Sequence, residues 1–557
     1  MSRAPVGLAS VVLAFAVLTV VMAAPWSLHP ASRVVTDNPD THLFLWTLGW
    51  DTHALLAQPF RLFDANIYAP MPNTLAYSEN AIGSLPFAAP IIWATGDLVL
   101  ALNLVLLSAC ALCGVGAYVL GRRLGMGAPA AFVCGVIFAF APTRFYRMGQ
   151  LHQNTVQWIP FTLAFLHAYV ERGRPRDLRI ALALFSLQAL ASGHGAVFLT
   201  VAVVVLGGYH LLRGTPLALA RRVRDIGLTG ALLLVPAVLL LLPYRRARAD
   251  VGLDRTFDPW TVTPESYLAS PAHVHKWLLS LVTDRPVNDL ANTFLFPGYL
   301  AVGLAVMALW PARPGGSSAD DATRRRHAWG YVLLGLVSVL FFVGGPLALW
   351  PWVRGWPGFN FIRVSSRFVT LTTLALAVLA GLGAERLLRD RSPRAAFAFA
   401  GALSVLLLGE YATQPFAGDP FTMPRPAVVE WLAAQPGAKR VAEVPVPRAA
   451  NGGAYERFET AAMLHSTVAW WPTIHGYSGT RPEGHDQAYR AMNTFPDEAS
   501  LAALRSLGVT HVIAHRPLYP PELWSELQAR ARDVAGLRLL YVAADGVVYR
   551  LMPTNVQ

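Results

Sequence analysis

The chain has 557 residues, of which 54% are hydrophobic and only 14% are charged. Soluble domains carry roughly 25% charged residues, so this composition excludes a soluble protein with a single membrane anchor. The net charge of +12 lies mostly in Arg clusters between apolar runs. Because short Arg-rich loops mark the cytoplasmic side of membrane proteins, this basicity reflects topology, and we expect no nucleic-acid partner. The three cysteines, Cys110, Cys113 and Cys134, lie within apolar runs and predict packing positions rather than disulfides or a metal site.

About eleven apolar segments approach the ~20 residues needed to cross ~30 Å of hydrocarbon. We expect spans near 5–24, 98–121, 128–142, 157–171, 178–192, 195–213, 226–243, 293–311, 328–344, 367–388 and 395–412. With the N-terminus inside, their alternation places the Arg-rich loops in the cytoplasm and the C-terminus outside. The first segment is longer than the usual core of a signal peptide, so we expect an uncleaved first helix. The shorter run 81–95 predicts a re-entrant element or an outer extension of the second span.

The expected outer side is the more elaborate one, with a long first loop (25–97) and a second long loop (244–292). The expected cytoplasmic loops are short, so we expect any chemistry outside. Residues 413–557 differ from the apolar body, 1–412. They contain a strand signal at 438–446, a helix, glycine cap and buried strand within 496–515, and a hairpin signal, Asp545-Gly546, within 537–551. The predicted fold is mainly α, a polytopic transmembrane helical bundle with a small extracytoplasmic α/β domain at its C-terminus.

The stretch "TDNPDTHLFLWTLGWDTH" (36–53) follows the first span and predicts a helix. Asn38 suits the N-cap and Pro39 the first helical position, which leaves Asp40 in the first turn. There a carboxylate gains about 0.3–1 kcal/mol from the helix dipole, which would explain Asp40 without a function. At 100° per residue, however, four polar side chains fall within about 20° of one face, and such a stripe indicates the edge of a site. These are Asp40, Thr47, Asp51 and Gln58.

The acidic "DNPD" motif after the first span, the long first outer loop and the polytopic apolar body resemble the GT-C superfamily of membrane glycosyltransferases. Short stretches at 62–80, 149–161, 358–368 and 475–479 also resemble bacterial members. The resemblance implies transfer of a sugar from a polyprenyl-phosphate-linked donor in the membrane to a glycan, lipid or protein acceptor. It places the reaction on the outer face of the bacterial cytoplasmic membrane. It also implies a catalytic carboxylate in the first outer loop, which we assign to Asp40 first and Asp37 second. Some members need a divalent cation, so Mg²⁺ or Mn²⁺ stays an open expectation.

Cations that stabilise a leaving phosphate are expected among the outer arginines. Arg363 and Arg367 are four residues apart at the outer end of a span, which would put both guanidinium groups on one helical face. Arg144 and Arg147 form a second outer pair. We interpret these four residues as donor phosphate-binding, because guanidinium groups match phosphate geometry. The alternative is that they anchor the chain at the membrane interface.

Five further polar residues are candidates for substrate contact: Glu79, His152, Gln153, His475 and Tyr477. Glu79 could be a second acid, and the histidines could orient sugar hydroxyls or phosphate. The alternative for Glu79 and His152 is an ordinary loop residue, and for 475–479 a glycine-rich turn beside a core Trp pair. His194 is interpreted as a turn residue. His273 and His275, two residues apart, lack the carboxylate that would make a metal site convincing.

Two other functional classes compete with the transferase hypothesis. A transporter or flippase of a lipid-linked glycan would carry ionisable residues at the bilayer midplane and internal repeats, and the sequence shows neither. A non-catalytic envelope assembly protein would depend on residues 413–557 and not on Asp40. The sequence leaves the sugar, the acceptor and the stereochemical outcome open.

Overall fold

The computed structural model describes residues 7–213, 219–251, 262–284, 286, 293–310, 319–356, 358–360, 362–413, 416–447, 452–479 and 481–553. Much of the expected second outer loop, including 252–261 and 287–292, lies outside these residues. The chain forms two compact units, each assembled from three stretches of sequence. The first consists of Met1–Pro30, Asn103–Leu239 and Thr256–Gly418, and the second of Ala31–Leu102, Leu240–Arg255 and Asp419–Gln557.

Most of the first unit is helical, and helices occur at every one of the expected spans. Its helices, together with two that cross into the second unit (α4 and α12), are α1 (Leu8–Met22), α4 (Leu98–Arg123), α5 (Ala128–Phe140), α6 (Pro142–Phe145), α7 (Leu151–Asn154), α8 (Trp158–Arg172), α9 (Pro175–Ala191), α10 (Gly193–Leu212), α11 (Leu219–Leu233), α12 (Val235–Val251), α13 (Lys276–Ser280), α14 (Tyr299–Leu309), α15 (Ala319–Phe342), α16 (Trp350–Val353), α17 (Val369–Leu388) and α18 (Pro393–Tyr411).

Five described helices are long and apolar enough to cross a membrane, and a sixth span is possible if the bent pair Val223–Leu233 and Val235–Ala249 acts as one. The chain is therefore a multi-pass membrane protein. The expected number of eleven spans stays a prediction, because α1, α8, α9 and α14 have only 15, 15, 17 and 11 residues. At 1.5 Å per residue such helices fall short of ~30 Å of hydrocarbon.

The buried centre of the first unit is α17, which packs against α5, α14 and α15. The contact with α14 requires a glycine, since a Cβ on Gly383 would overlap the carbonyl oxygen of Leu304. Small residues allow helix backbones to approach this closely in membrane bundles. The sequence "AGLGA" (380–384) therefore fixes the position of α14 along α17.

The second unit combines the first outer loop with the C-terminal segment. Its helices are α2 (Pro39–Ala57), α3 (Leu85–Thr95), α19 (Ala427–Ala434), α20 (Gly452–Ser466), α21 (Glu483–Met492), α22 (Glu498–Ser506) and α23 (Pro521–Asp533). Its strands are β1 (Arg33–Val34), β2 (Asp419–Pro420), β3 (Val441–Val444), β4 (His511–His515), β5 (Leu537–Ala543) and β6 (Gly546–Leu551). The main sheet has the order β3-β4-β6-β5. Within it β3 and β4 are parallel, whereas β6 is antiparallel to both of its neighbours.

The individual elements expected in the C-terminal segment are present. Asp497 caps α22 through Ser500 N–H at 2.8 Å, and Gly508 ends that segment with a φ of +70°. The Asp545-Gly546 turn joins β5 to β6. The β1–β2 pair and the grouping of residues 31–102 with 419–557 show that the first outer loop folds together with this segment. An independent domain of residues 413–557 stays a prediction.

Candidate active site

The acidic motif lies at the N-terminus of α2 in the second unit, and its cap is the one expected. Asn38 Oδ1 accepts a hydrogen bond from Thr41 N–H at 2.9 Å, and Pro39 is the first helical residue. Asp40 therefore lies in the first turn, where the free backbone N–H groups and the helix dipole favour a negative charge. This cap explains why the carboxylate is held at a fixed place.

Asp40 is half-buried and has a single polar side-chain partner in the described part of the chain. The phenol of Tyr477 donates to its Oδ1 over 2.9 Å. The second oxygen, Oδ2, accepts no hydrogen bond from any described residue. A carboxylate that is oriented through one oxygen and open at the other has the geometry required of a general base. Tyr477 and Asp40, which were predicted as separate candidates, thus form one pair.

The backbone that carries Tyr477 is held by the first outer loop, inside the same unit. Tyr68 N–H donates to His475 O at 3.0 Å, and Ala69 N–H donates to Thr473 O at 2.9 Å. Gly476 is needed at the crossing, because a Cβ there would lie 2.5 Å from the ring of Tyr68. These contacts fix the register of 473–477 against the loop that begins at α2.

Asp37 has a different environment from Asp40. Its Oδ1 lies 2.8 Å from His42 Nε2, and its Oδ2 lies 3.6 Å from the Arg457 guanidinium. Burial lowers the pKa of His42 below its usual value, although Asp37 opposes this shift. Arg457 also donates to the Asp37 carbonyl oxygen at 3.0 Å. Asp37 is therefore bound within the protein on both oxygens, and His42 and Arg457 are site residues that sequence reasoning missed.

His475 is completely buried, and both ring nitrogens have protein partners. Glu443 N–H donates to Nε2 at 2.7 Å, which places the ring proton on Nδ1, 2.7 Å from Tyr489 Oη. Tyr489 in turn donates to Glu459 Oε2 at 2.6 Å. In this arrangement His475 joins β3 to α20 and offers no nitrogen to a ligand, so we leave it out of the proposed substrate site.

Two members of the polar stripe expected along α2 are covered by the protein, so a role of the whole stripe as the edge of a site stays a prediction. Thr47 and Asp51 are buried, and Thr47 Oγ1 donates to Leu43 O at 2.8 Å. Asp51 Oδ2 accepts from Ala81 N–H at 2.9 Å, while its Oδ1 has no hydrogen-bond partner among the described residues. Burial raises the pKa of Asp51 to about 7. Helical periodicity gave the direction of these side chains. It could not show that the segment 79–84 packs over Asp51 and binds its carboxylate through Ala81 N–H.

Glu79, in the first outer loop, is half-buried. The residues on either side of it are fixed by Tyr244, whose Oη donates to Ser78 O at 3.0 Å and accepts from Asn80 Nδ2 at 2.9 Å. The turn is thus held in place, and a role for Glu79 in substrate contact stays a prediction.

In the first unit, four basic side chains form a cluster at 147, 152, 194 and 367. Arg367 donates from Nη1 to His194 Nε2 at 2.8 Å, and the rings of His194 and His152 lie 4.8 Å apart. Burial and the neighbouring Arg367 guanidinium lower the pKa of Arg147 to about 10. His194, which the sequence indicated to be a turn residue, occupies the first turn of α10 behind the Ser192 cap. We call these four residues the basic cluster.

Arg144 and Gln153, which were also predicted to contact the substrate, are both buried. Arg144 is buried, and its guanidinium donates to Ala139 O at 3.0 Å and to both oxygens of Asn154 at 3.1 Å. It therefore joins α5 to α7, and we leave it out of the proposed donor site. Gln153 is also buried, and its Nε2 has no hydrogen-bond partner among the described residues.

Arg363 is exposed and lies outside any helix, because regular α-helix begins only at Val369 after a 3-10 turn at Ser365–Phe368. The expectation that Arg363 and Arg367 share a helical face is therefore wrong. The four-residue spacing therefore does not by itself bring the two guanidinium groups together. Phosphate binding by Arg363 stays a prediction.

The acidic motif does not offer a three-ligand metal site. Groups of three or more His, Cys, Asp or Glu side chains with closely spaced ligand atoms do occur among the described residues, but neither Asp37 nor Asp40 belongs to one. Asp37 already faces a guanidinium, and Asp40 faces a phenol donor. The residues present at this motif fit a base better than a bound Mg²⁺ or Mn²⁺, which prefer several oxygen ligands. His275, in contrast, is buried against Glu410 at 3.0 Å, without a third ligand.

No protein-family model and no curated protein matches the sequence. Among solved structures, the chain is similar to the arabinofuranosyltransferase AftD from Mycobacteria, with a TM-score of 0.60, 15% identity and coverage of 100% of this chain. A variant of AftD gives a TM-score of 0.62. The chain spans only 40% of the length of AftD. A weaker likeness, with a TM-score of 0.49 and 12% identity, is to the oligosaccharyltransferase AglB from Archaeoglobus fulgidus, covering 99% of this chain and 75% of AglB. AftD is a GT-C enzyme, so the expected GT-C fold is confirmed; identity this low establishes the fold and not the reaction.

Proposed function

We propose that this chain, which has the GT-C fold, transfers a sugar from a lipid-phosphate donor to a hydroxyl acceptor, with Asp40 as the general base. The observation that carries the proposal is the state of Asp40: it is fixed by a helix cap, oriented by Tyr477 through Oδ1 and open at Oδ2. Asp37 is less suited, because His42 and Arg457 occupy its two oxygens.

In the proposed reaction, Asp40 takes the proton of the acceptor hydroxyl as the acceptor oxygen forms a bond to the anomeric carbon. The bond between that carbon and the phosphate oxygen breaks, and the lipid phosphate leaves with the electron pair. A phosphate is a good leaving group, so a protonating acid is less necessary than in glycoside hydrolysis. Tyr477 is a positioning residue: its hydrogen bond to Oδ1 holds the carboxylate in a fixed orientation.

The basic cluster is the proposed site for the donor phosphate. Burial first, and then the charge of Arg367, lower the pKa of Arg147, so the two guanidinium groups disfavour each other's charge. An anion relieves such repulsion, and guanidinium groups match its oxygens. We assign the recognition of phosphate to Arg367 and Arg147, with His152 beside them.

We further propose that the reaction takes place on the outer face of the bacterial cytoplasmic membrane, with the second unit outside. This follows from the Arg-rich loops expected in the cytoplasm. AftD is an arabinofuranosyltransferase, so polyprenyl-phosphate arabinofuranose is the first donor to test, with membrane glycans as acceptors.

The experiment compares Asp40→Asn with the wild type in membranes that contain equal amounts of each protein. With radiolabelled polyprenyl-phosphate arabinofuranose, and then with a panel of other polyprenyl-phosphate sugars, transfer should fall by at least ~10²-fold, the low end for general-base catalysis. Asp64→Asn is the matched control, since Asp64 lies in the same unit, pairs with Arg61 at 3.0 Å and does not contact Asp40. An Asp40→Asn protein with wild-type transfer would refute the assignment. Asp40-dependent movement of the intact lipid-linked sugar without transfer would favour a flippase instead.

A further inference from the structure

A second cluster of ionisable side chains lies in the main sheet of the second unit, separate from Asp40. Glu443 Oε2 is 2.8 Å from His465 Nδ1 and 2.6 Å from His515 Nε2. All three residues are buried, and their ligand atoms lie within 4.8 Å of one another. The proposed transfer reaction uses none of them.

The topology explains how the three side chains meet. Strands β3 and β4 are parallel, with Glu443 opposite Ile513, so His515, two residues further along, points to the same face of the sheet. Both side chains lie near the carboxyl ends of their strands, which is where ligands bind in open sheets of this kind. His465 comes from the last turn of α20, the helix that follows β3.

The charge of Glu443 needs a cationic partner. Its side chain is 1% exposed, and the cations beside it among the described residues are at most the two histidines. The second oxygen, Oε1, is buried and has no hydrogen-bond partner among the described residues. A buried carboxylate is costly unless it is paired and fully hydrogen-bonded. Either an imidazolium or a metal ion would meet that need.

We propose that Glu443, His465 and His515 bind one Zn²⁺ ion. Two imidazoles and one glutamate form a donor set that Zn²⁺ takes in sites with an open fourth position. Ligands about 2.0–2.1 Å from a tetrahedral metal are roughly 3.3 Å apart, so the two separations between Glu443 and the imidazoles need to widen by less than ~1 Å. The unpartnered Oε1 gives Glu443 a second oxygen for the ion or for a water bound to it.

The other three-ligand group, His167, His210 and His327 in the first unit, is a weaker candidate. Its three ligand atoms are all imidazole nitrogens, with Glu171 Oε1 3.3 Å from His327 Nε2, and the Arg326 guanidinium lies 3.4 Å from His210 Nδ1. The positive charge of Arg326 opposes a bound cation. Arg326 also donates to Nδ1 of His210, whereas a histidine that binds a metal through Nε2 carries a proton on Nδ1. This group therefore serves as the internal control.

The ion would fix α20 relative to the sheet. Besides His465 at its end, α20 carries Arg457 and Thr460, which contact Asp37 and His42 at the start of α2. It also carries Glu459, which binds Gly476 N–H at 2.8 Å. The Zn²⁺ site thus has a structural role: it holds the helix against which the acidic motif is packed.

The test uses the full-length protein, purified in detergent through a tag without histidine and stripped with a chelator. After exposure to Zn²⁺ and removal of free metal, elemental analysis should find one Zn²⁺ per chain, and thermal unfolding should shift upward by several degrees. Replacement by Co²⁺ should give the intense visible absorption of a tetrahedral site. If the wild type bound no Zn²⁺, or if the Co²⁺ spectrum were typical of octahedral water ligands, the proposal would be overturned.

Variants locate the site. His515→Gln and Glu443→Gln should each weaken Zn²⁺ binding by at least ~100-fold, whereas His327→Gln should bind as the wild type does. Loss of Zn²⁺ in His327→Gln with retention in His515→Gln would refute the assignment in favour of the other group. Because these measurements need no sugar transfer, the Zn²⁺ site and the transferase proposal can each fail without the other.

Discussion

Tyr477 donates a hydrogen bond to Asp40 over 2.9 Å, across 437 positions in the sequence. The two residues belong to the same compact unit, in which residues 31–102 fold with 419–557. The C-terminal segment thereby contributes a residue to the proposed site. Its helix α20 holds Asp37, and its turn at 475–479 holds Asp40.

Replacing Tyr477 by Phe removes only the phenol oxygen. A hydrogen bond to a charged group contributes about 1.5–3 kcal/mol, so we expect the rate of transfer to fall by about 10–100-fold. The KM for the donor should stay the same, because Tyr477 acts on the base. The kcat and KM of the purified variant measure both quantities. Tyr541→Phe is the control, since that ring stacks on Trp431 at 4.6 Å, away from Asp40; equal losses in both variants would leave Tyr477 without a positioning role.

Changing Arg367 to Lys keeps the charge and removes the planar fork. We expect the KM for the lipid-phosphate donor to rise by about tenfold or more with little change in kcat, because bidentate phosphate contact is lost. Arg363→Lys should show a smaller effect, since Arg363 is exposed and lies outside any helix. Titration of the donor in both variants checks this. A larger rise in KM for Arg363→Lys than for Arg367→Lys would move the phosphate site out of the basic cluster.

Asp51 makes the stability of the protein depend on pH. Burial raises its folded-state pKa to about 7, whereas an unfolded aspartate has a pKa of about 3.9. Between these values the folded protein keeps a proton that the unfolded chain releases, so stability falls as pH rises from about 4 to about 7 and then levels off. The fall amounts to as much as about 4 kcal/mol, at ~1.4 kcal/mol per unit.

Asp51→Asn cannot ionise and should lack this decline. Thermal unfolding between pH 5 and pH 8 measures it: the difference in Tm between the two pH values should be smaller in the variant. Any cost of placing the Asn amide beside the buried site is independent of pH and does not alter the comparison. Asp390→Asn is the control, because that side chain is 87% exposed. An unchanged pH dependence in Asp51→Asn would show that Asp51 is ionised when folded.

Membrane topology provides a prediction that tests every outer assignment. A single cysteine placed at Gln435, in a background without the native cysteines, should react with a membrane-impermeant thiol reagent in intact cells. A cysteine at Arg174, an exposed position between α8 and α9, should react only after the membrane is opened. The reverse pattern would place Asp40 and the second unit in the cytoplasm.

The sequence alone determined the features that depend on local chemistry. The N-cap of α2, the glycine after α22, the Asp545-Gly546 hairpin and the positions of the helices follow from short-range rules, and the GT-C resemblance holds for the fold. The pattern at 36–40 was sufficient to place Asp40 in the first turn of a helix.

Only the tertiary structure decided which polar side chains are hydrogen-bonded or paired with other residues of the protein. The sequence ranked Asp40 before Asp37 but could not show that Arg457, 420 residues from Asp37, binds one carboxylate and that Tyr477 orients the other. The same holds for His475, buried by Tyr489 and Glu459, and for the cluster of Glu443, His465 and His515, whose members come from two strands and a helix. The physical reason is that a side chain's direction depends on local backbone, whereas its burial and its hydrogen-bond partners depend on distant segments that no local pattern encodes.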